Sequence, residues 1–152
     1  MQNYHNLLYR EEEREMIPYC KFSGVGLIPW SPLARGVLCR PWSNRGTLRE
    51  QTDGFLNTLF RNRENEIDKA IVTRVEEIAK KRDVTMACVA TAWSISKGDI
   101  PIVGLGSKER IEEAVGNSNF ELSEEEVKYL EEPYLPKSIQ GVLVGYLLYY
   151  RN

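Results

Sequence analysis

Two short apolar runs, GLIPW at residues 26–30 and IPIVG at 100–104, constrain the fold of this chain more than any other feature. Runs of that length and composition fill buried strands of parallel sheets, where both faces are covered. The segments between and after them have helical character. YREEEREMIPYCKFSG (9–24) is charged and helical, interrupted by Pro18 and stopped by Gly24. Short strands alternating with helices predict βα units and a parallel sheet covered on its faces.

MQNYHNLL is strand-like at its start. From Glu64 to Arg82, the apolar set Ile67, Ile71, Val75, Ile78 and Ala79 recurs at helical spacing, with acids early and KKR at the end. Thr85 can cap the next helix, whose stripe is Met86, Val89, Ala90 and Trp93, and Gly98 closes it. Ser107 opens a helix carrying Ile111 and Val115, and Ser123 with Glu126 forms a capping box for the last helix, which should end before Pro133. Residues 37–63 are polar, with only FLNTLF as apolar anchors, and read as a functional loop because connections beyond about 12–15 residues are uncommon. The tail GVLVGYLLYY (141–150) is almost wholly apolar and, at ten residues, too short to span a bilayer.

At 152 residues the chain is long enough for one ordinary domain. A net charge of −2 and 42% hydrophobic content are near the globular average, which argues against a nucleic-acid surface and against disorder. Cys20, Cys39 and Cys88 lack CxxC spacing and His5 is the only histidine, so neither a zinc site nor a disulfide framework is expected. The N-terminus has no basic region followed by an apolar core, so a cytoplasmic protein is expected.

Ligands of parallel α/β proteins bind beyond the carboxyl ends of the strands. WSPLARG begins at such an end: Pro32 fixes the backbone, Trp30 offers a flat face, and Ser31 with nearby main-chain N–H groups can donate to phosphate. Arg35 and Arg40 add positive charge. GLGSKERIEEA (104–114) follows the other strand. With Ser107 as N-cap, Lys108 and Arg110 fall in the first turn, where the macrodipole disfavours cations by typically ~0.3–1 kcal/mol each, so a negative ligand such as phosphate fits there.

Taken in order, MQNYHNLLYREEEREMIPYC, GVGLIPWSPLARG and PIVGLGSKERIEEAVGN resemble the C-terminal half of a fungal-type NADP-dependent aldo-keto reductase. The resemblance covers residues 1–140 and sets off 141–152 as an atypical tail. It implies an α/β fold, a partial TIM (β/α)8 barrel holding roughly the last three βα units plus extra helices. It also implies NADP(H) as cofactor and an aldehyde, ketone or alcohol as small-molecule substrate. By resemblance, Gln2 holds the nicotinamide carboxamide and Trp30 stacks on the nicotinamide ring. Ser31, Pro32, Leu33, Ala34 and Arg35 line the pyrophosphate, with Arg40 a weaker candidate. Gly104, Gly106 and Ser107 shape the adenosine-phosphate pocket, Arg110 pairs with the 2′-phosphate and Glu113 meets the adenine. Ala114 stands where many relatives carry Asn. His5, where relatives more often show an aromatic, is not the family's catalytic histidine and is expected to be a hydrogen-bonded structural residue.

A complete barrel needs eight strands and typically about 250 residues. The family's catalytic Tyr, Lys, Asp and His sit on earlier strands, so no catalytic residue is assigned here and the chain alone is expected to be inactive. Tyr4, Tyr9, Tyr19 and Tyr129 have no accompanying Lys/Asp constellation, and Tyr19 and Tyr129 fall on helices. Met1 falls inside an expected barrel strand, so a truncated gene, pseudogene product or misassigned start is the reading of the chain's ends. The alternative function is a non-catalytic half-barrel module that self-associates through exposed sheet edges. A tail-anchored membrane protein is the weakest reading.

Overall fold

The computed structural model describes residues 1–44 and 65–139, together with Thr52 and Gly54. Most of the polar loop expected at 37–63, including FLNTLF, and the tail from residue 141 lie outside the described residues.

Three extended segments lie side by side in parallel. The N–H groups of Ile28 and Trp30 donate to the carbonyls of Met1 and Asn3, each at 2.9 Å. Those of Ile100 and Ile102 donate to Leu27 and Pro29, at 2.8 and 2.9 Å. The GLIPW segment is therefore central. Parallel bridges pair Tyr4 with Trp30 and Trp30 with Ile102. Side chains alternate along extended chain, so Gln2, Ile28 and Ile100 form a second row on the same face as that trio, and Asn3, Leu27, Pro29 and Asp99 point to the other.

The two faces are covered unequally among the described residues. Leu27 packs with Ile17 and Cys20, and Asn3, Leu27 and Asp99 are all buried. On the opposite face Ile28, Ile100 and Ile102 are 41%, 70% and 47% exposed. This corrects the expectation of strands buried on both faces: an apolar run shows that a strand can be covered, and only its neighbours decide whether it is.

Five α-helices are delimited among the described residues: α1 (Met16–Ser23), α2 (Glu66–Arg82), α3 (Met86–Ser96), α4 (Lys108–Gly116) and α5 (Glu124–Glu131). Pro18 does not interrupt the first. It is the third residue of α1, where its missing N–H costs nothing, and the break falls earlier, at Glu15 (φ −140°), after a 3-10 turn at Glu11–Arg14. Gly24 and Gly98 take φ of 71° and 85°, the left-handed conformation that ends a helix.

The main core lies where α2 and α3 pack together, and all the predicted stripe residues except Ile67, which is half-buried, are buried there. Asn65 caps α2 by accepting from the Asp68 N–H at 2.9 Å, and Thr85 caps α3 through the Cys88 N–H at 3.1 Å. The capping box of α5 is complete, with Glu126 N–H to Ser123 Oγ at 3.2 Å and Ser123 N–H to Glu126 Oε2 at 3.0 Å. α4 departs from expectation. Ser107 caps it, yet Ile111 and Val115 are 47% and 68% exposed and none of its residues is buried.

Candidate functional site

Because the extended segments are parallel, their carboxyl ends open on one edge, and three connections leave from it. These are the turn Asn6–Tyr9, the corner Trp30–Gly36 and the approach Val103–Ser107 into α4. The segments 30–36 and 103–107 thus leave the sheet from the same edge. Gln2 lies one row behind Trp30 on the same face.

Trp30 is half-buried, and its ring stacks on Tyr4, with centroids 4.5 Å apart and 27° between planes. Tyr4 in turn stacks on Tyr9 at 4.8 Å and 28°. The outermost ring of this pile is the one that the sheet leaves partly open. Burial pushes the Tyr4 phenol well above its ordinary value of 10, so it stays neutral.

After Trp30 the backbone turns through a strained corner. Ser31, Ala34 and Arg35 have φ of 55°, 48° and 55°, and Gly36 has 93°. Non-glycine residues held there cost of order 1–3 kcal/mol each and persist where surroundings over-determine them. The Ser31 carbonyl accepts from the Ala34 N–H at 2.9 Å and from Asn6 Nδ2 at 3.1 Å, and Ser31 Oγ accepts from the Arg35 N–H at 3.1 Å. With its oxygen accepting, the Ser31 hydroxyl keeps its proton to donate. At Gly36 the φ of 93° favours glycine, and Arg40 Nη2 lies 3.0 Å from where a Cβ would stand. Pro32 and Ala34 are buried, so only their main-chain groups can face a ligand.

At the third strand end, Gly104 and Gly106 are exposed and nothing lies within 4 Å of a Cβ position on either. Ser107 accepts from the Arg110 N–H at 3.4 Å. The expected negative partner of the helix start is partly internal: the Glu109 carboxylate is held below its usual range by its own backbone N–H and by Ser107. Lys108 pairs with Glu112 at 3.5 Å on the open surface. The Arg110 guanidinium forms no ion pair among the described residues and remains available to an anion. Glu113 accepts from the Thr85 hydroxyl at 2.5 Å, which ties it to the cap of α3.

His5 is buried and structural, as expected. Its Nδ1 lies 2.7 Å from Asp99 Oδ2 and its Nε2 3.0 Å from Glu13 Oε1. Two ionised carboxylates accept only, so the pair favours the imidazolium, in which both ring nitrogens donate. Glu13 also pairs with Arg10, and Arg10 and Lys97 share Glu131, which accepts from Trp93 Nε1 at 2.9 Å. Sequence spacing could not reveal these partners, since His5 and Asp99 stand 94 positions apart. Nor does sequence spacing reveal that Tyr4 and Asn6 support the corner. The one local signal was the Asn6 Oδ1 acceptor for the Leu8 N–H, an Asx turn.

Comparison with known proteins adds the context. A family model described as the aldo/keto reductase family matches residues 1–134. Versiconal hemiacetal acetate reductase of Aspergillus parasiticus is 62% identical over 140 residues, covering 91% of this chain and 41% of that protein. The structure of a glycerol dehydrogenase from Gluconobacter oxydans superimposes with a TM-score of 0.70 at 22% identity, over 93% of this chain and 45% of that one. A thermostable aldo-keto reductase solved with the inhibitor epalrestat gives 0.62 at 26% identity, over 88% and 39%. The chain therefore spans about two fifths of the length of the proteins that it matches.

Proposed function

The chain belongs to the aldo/keto reductase family, and on that footing we propose that it is the C-terminal, cofactor-binding part of an NADP(H)-dependent carbonyl reductase or alcohol dehydrogenase. In this reading residues 1–140 supply the last three βα units of the barrel. The observation that supports it is that the Trp30–Gly36 corner and the approach to the Ser107–Arg110 helix start leave the same edge of a parallel sheet.

The residues present suit a phosphorylated dinucleotide. The half-open Trp30 ring offers a stacking surface, with Gln2 behind it as an amide partner. Ser31 to Arg35 present a hydroxyl proton and a turned main chain toward a pyrophosphate, and Gly104 and Gly106 leave room for close approach. Ser107 and Arg110 frame an anion position at the N-terminus of α4. Glu113 reaches adenine only by leaving Thr85. Nicotinamide bound there would supply hydride exchange with a carbonyl or alcohol carbon.

The same reading makes the chain a binder without turnover. Its buried tyrosines are committed to the stack under Trp30, Tyr19 and Tyr129 lie on α1 and α5, and Tyr134 donates to Glu11 at 2.7 Å. Among the described tyrosines none is placed as a proton donor facing Trp30. NADPH titrated into the full chain should quench Trp fluorescence saturably, while no carbonyl substrate accelerates NADPH oxidation. Absence of a saturable quench would overturn the cofactor assignment.

A second reading has its own support in the bare face of Ile28, Ile100 and Ile102. Through it the chain associates with itself or with another half-barrel, covering apolar surface and sheet edges. Sedimentation showing a folded monomer at all concentrations removes self-association. Among the described residues no helix is long and apolar enough to cross a membrane. A cytoplasmic location remains part of the proposal.

A further inference from the structure

The Trp30–Gly36 corner needs something to hold it. Ser31 sits at φ 55° without being glycine, immediately after Trp30 has completed the ladder. The group that meets this carbonyl from outside the corner is the side-chain amide of Asn6.

Asn6 is fully buried, at 0% exposure, so every polar atom that it brings must be matched. Its Nδ2 donates to the Ser31 carbonyl at 3.1 Å and its Oδ1 accepts from the Leu8 N–H at 2.9 Å. Its own backbone exchanges two hydrogen bonds with Tyr9, at 3.2 and 3.0 Å. One residue thus closes the Asn6–Tyr9 turn and reaches across to the next connection. Tyr9, which closes this turn, stacks on Tyr4, which in turn stacks on Trp30.

We infer that Asn6 is a positioning residue for the dinucleotide platform: its amide clamps the Ser31 carbonyl, and its turn seats the aromatic pile, so that Trp30 and the Ser31–Gly36 main chain keep a binding geometry in advance of ligand. The inference rests on the proposed cofactor reading for its purpose, and on the observed hydrogen bonds for its mechanics. Among the described residues no other side chain donates to the Ser31 carbonyl, whose second donor is the Ala34 N–H within the turn itself.

Asn6→Asp tests this with little change of shape. It keeps an acceptor for the Leu8 N–H and replaces the donor facing Ser31 with an oxygen that repels the carbonyl. Asn6→Ser is the second variant, since its hydroxyl can still accept from Leu8 but is too short to reach Ser31. Amide hydrogen exchange of the full chain is the first readout. In either variant, exchange at Ala34, Arg35 and Gly36 should accelerate about tenfold or more, while Val72 and Val75 in α2 stay protected as the control for folding. NADPH titration is the second, with the dissociation constant expected to rise about tenfold as a donor to an oriented turn is lost.

Unchanged exchange at 34–36 in a variant with a protected α2 overturns the positioning role. So does accelerated exchange accompanied by undiminished NADPH affinity, which would make the clamp merely structural. Failure of the parent chain itself to bind NADPH would instead defeat the cofactor reading, and the exchange readout would still decide whether Asn6 clamps the corner.

Discussion

His5 Nδ1 lies 2.7 Å from Asp99 Oδ2, joining the first and third strand segments at a point where each side chain is 1% exposed. Glu13 closes on the other ring nitrogen at 3.0 Å, carrying the link to the 3-10 turn before α1. The network continues from Glu13 through Arg10 and Lys97 to Glu131 in α5. The first residues of the chain and its last described helix are thereby coupled through charge.

That coupling sets a pH dependence. Burial disfavours a charged His5, but its hydrogen bonds to Asp99 and Glu13 outweigh burial and raise its pKa above the ordinary 6.5. A raised folded value means stability that is complete below 6.5 and lost as pH climbs through the folded value. Burial likewise opposes charge on Glu13, yet Arg10, His5 and Lys97 hold it well below its ordinary 4.5. Its contribution is complete above 4.5 and is lost as pH falls below it. Urea denaturation should therefore show greatest stability between 4.5 and 6.5, with a decline on each side. His5→Gln should flatten the alkaline decline and weaken the acid one only in part, because Arg10 and Lys97 still hold Glu13 down. An alkaline limb of equal steepness in that variant would show that other groups cause it.

Helix caps separate global from local stability. Ser123 anchors α5, which places fully buried Leu130 in the core. Ser123→Ala should lower the unfolding free energy by about 1 kcal/mol, the usual worth of such a cap. Ser107 caps α4, which buries no residue. Ser107→Ala should leave the global unfolding free energy within about 0.5 kcal/mol and appear only as faster exchange of the Arg110 amide. Equal global losses at the two sites would mean that α4 is held more firmly than its exposure indicates.

These helices also show how far the sequence could be read. Ser107, Thr85 and Ser123 were legible because a cap acts within three residues, and the stripe from Ile71 to Trp93 was legible because packing imposes its period. The exposure of Ile111 and Val115 was not legible, since the same period serves a covered and an uncovered face. Trp30, Ser31 and Arg110 could be singled out from turn chemistry and charge. Asn6, Asp99 and Glu13 could not, because their roles depend on which distant segment lies alongside.

Asp83 offers a gain in stability. It ends α2 at φ 52° and ψ 45°, a conformation that glycine adopts without strain. Its charge also stands at the negative end of the helix dipole, behind Lys80, Lys81 and Arg82. Asp83→Gly relieves both, against the added entropy of a glycine in the unfolded chain, and should stabilise by roughly 0.5 kcal/mol. A thermal midpoint below that of the parent would show that the Asp83 side chain has a role beyond the cap.

Arg110 separates recognition from stability. It lies exposed in the first turn of α4 with no ion pair among the described residues, so Arg110→Ala removes nothing that holds the fold. If the guanidinium meets the 2′-phosphate, the variant should bind NADPH about 10–100-fold more weakly, the worth of one hydrogen bond to a charged group. NADH lacks that phosphate, and its affinity should be unaffected. The thermal midpoint should also be unchanged. Parallel losses for both dinucleotides would move Arg110 from the 2′-phosphate to the shared pyrophosphate, and no loss for either would remove it from the site.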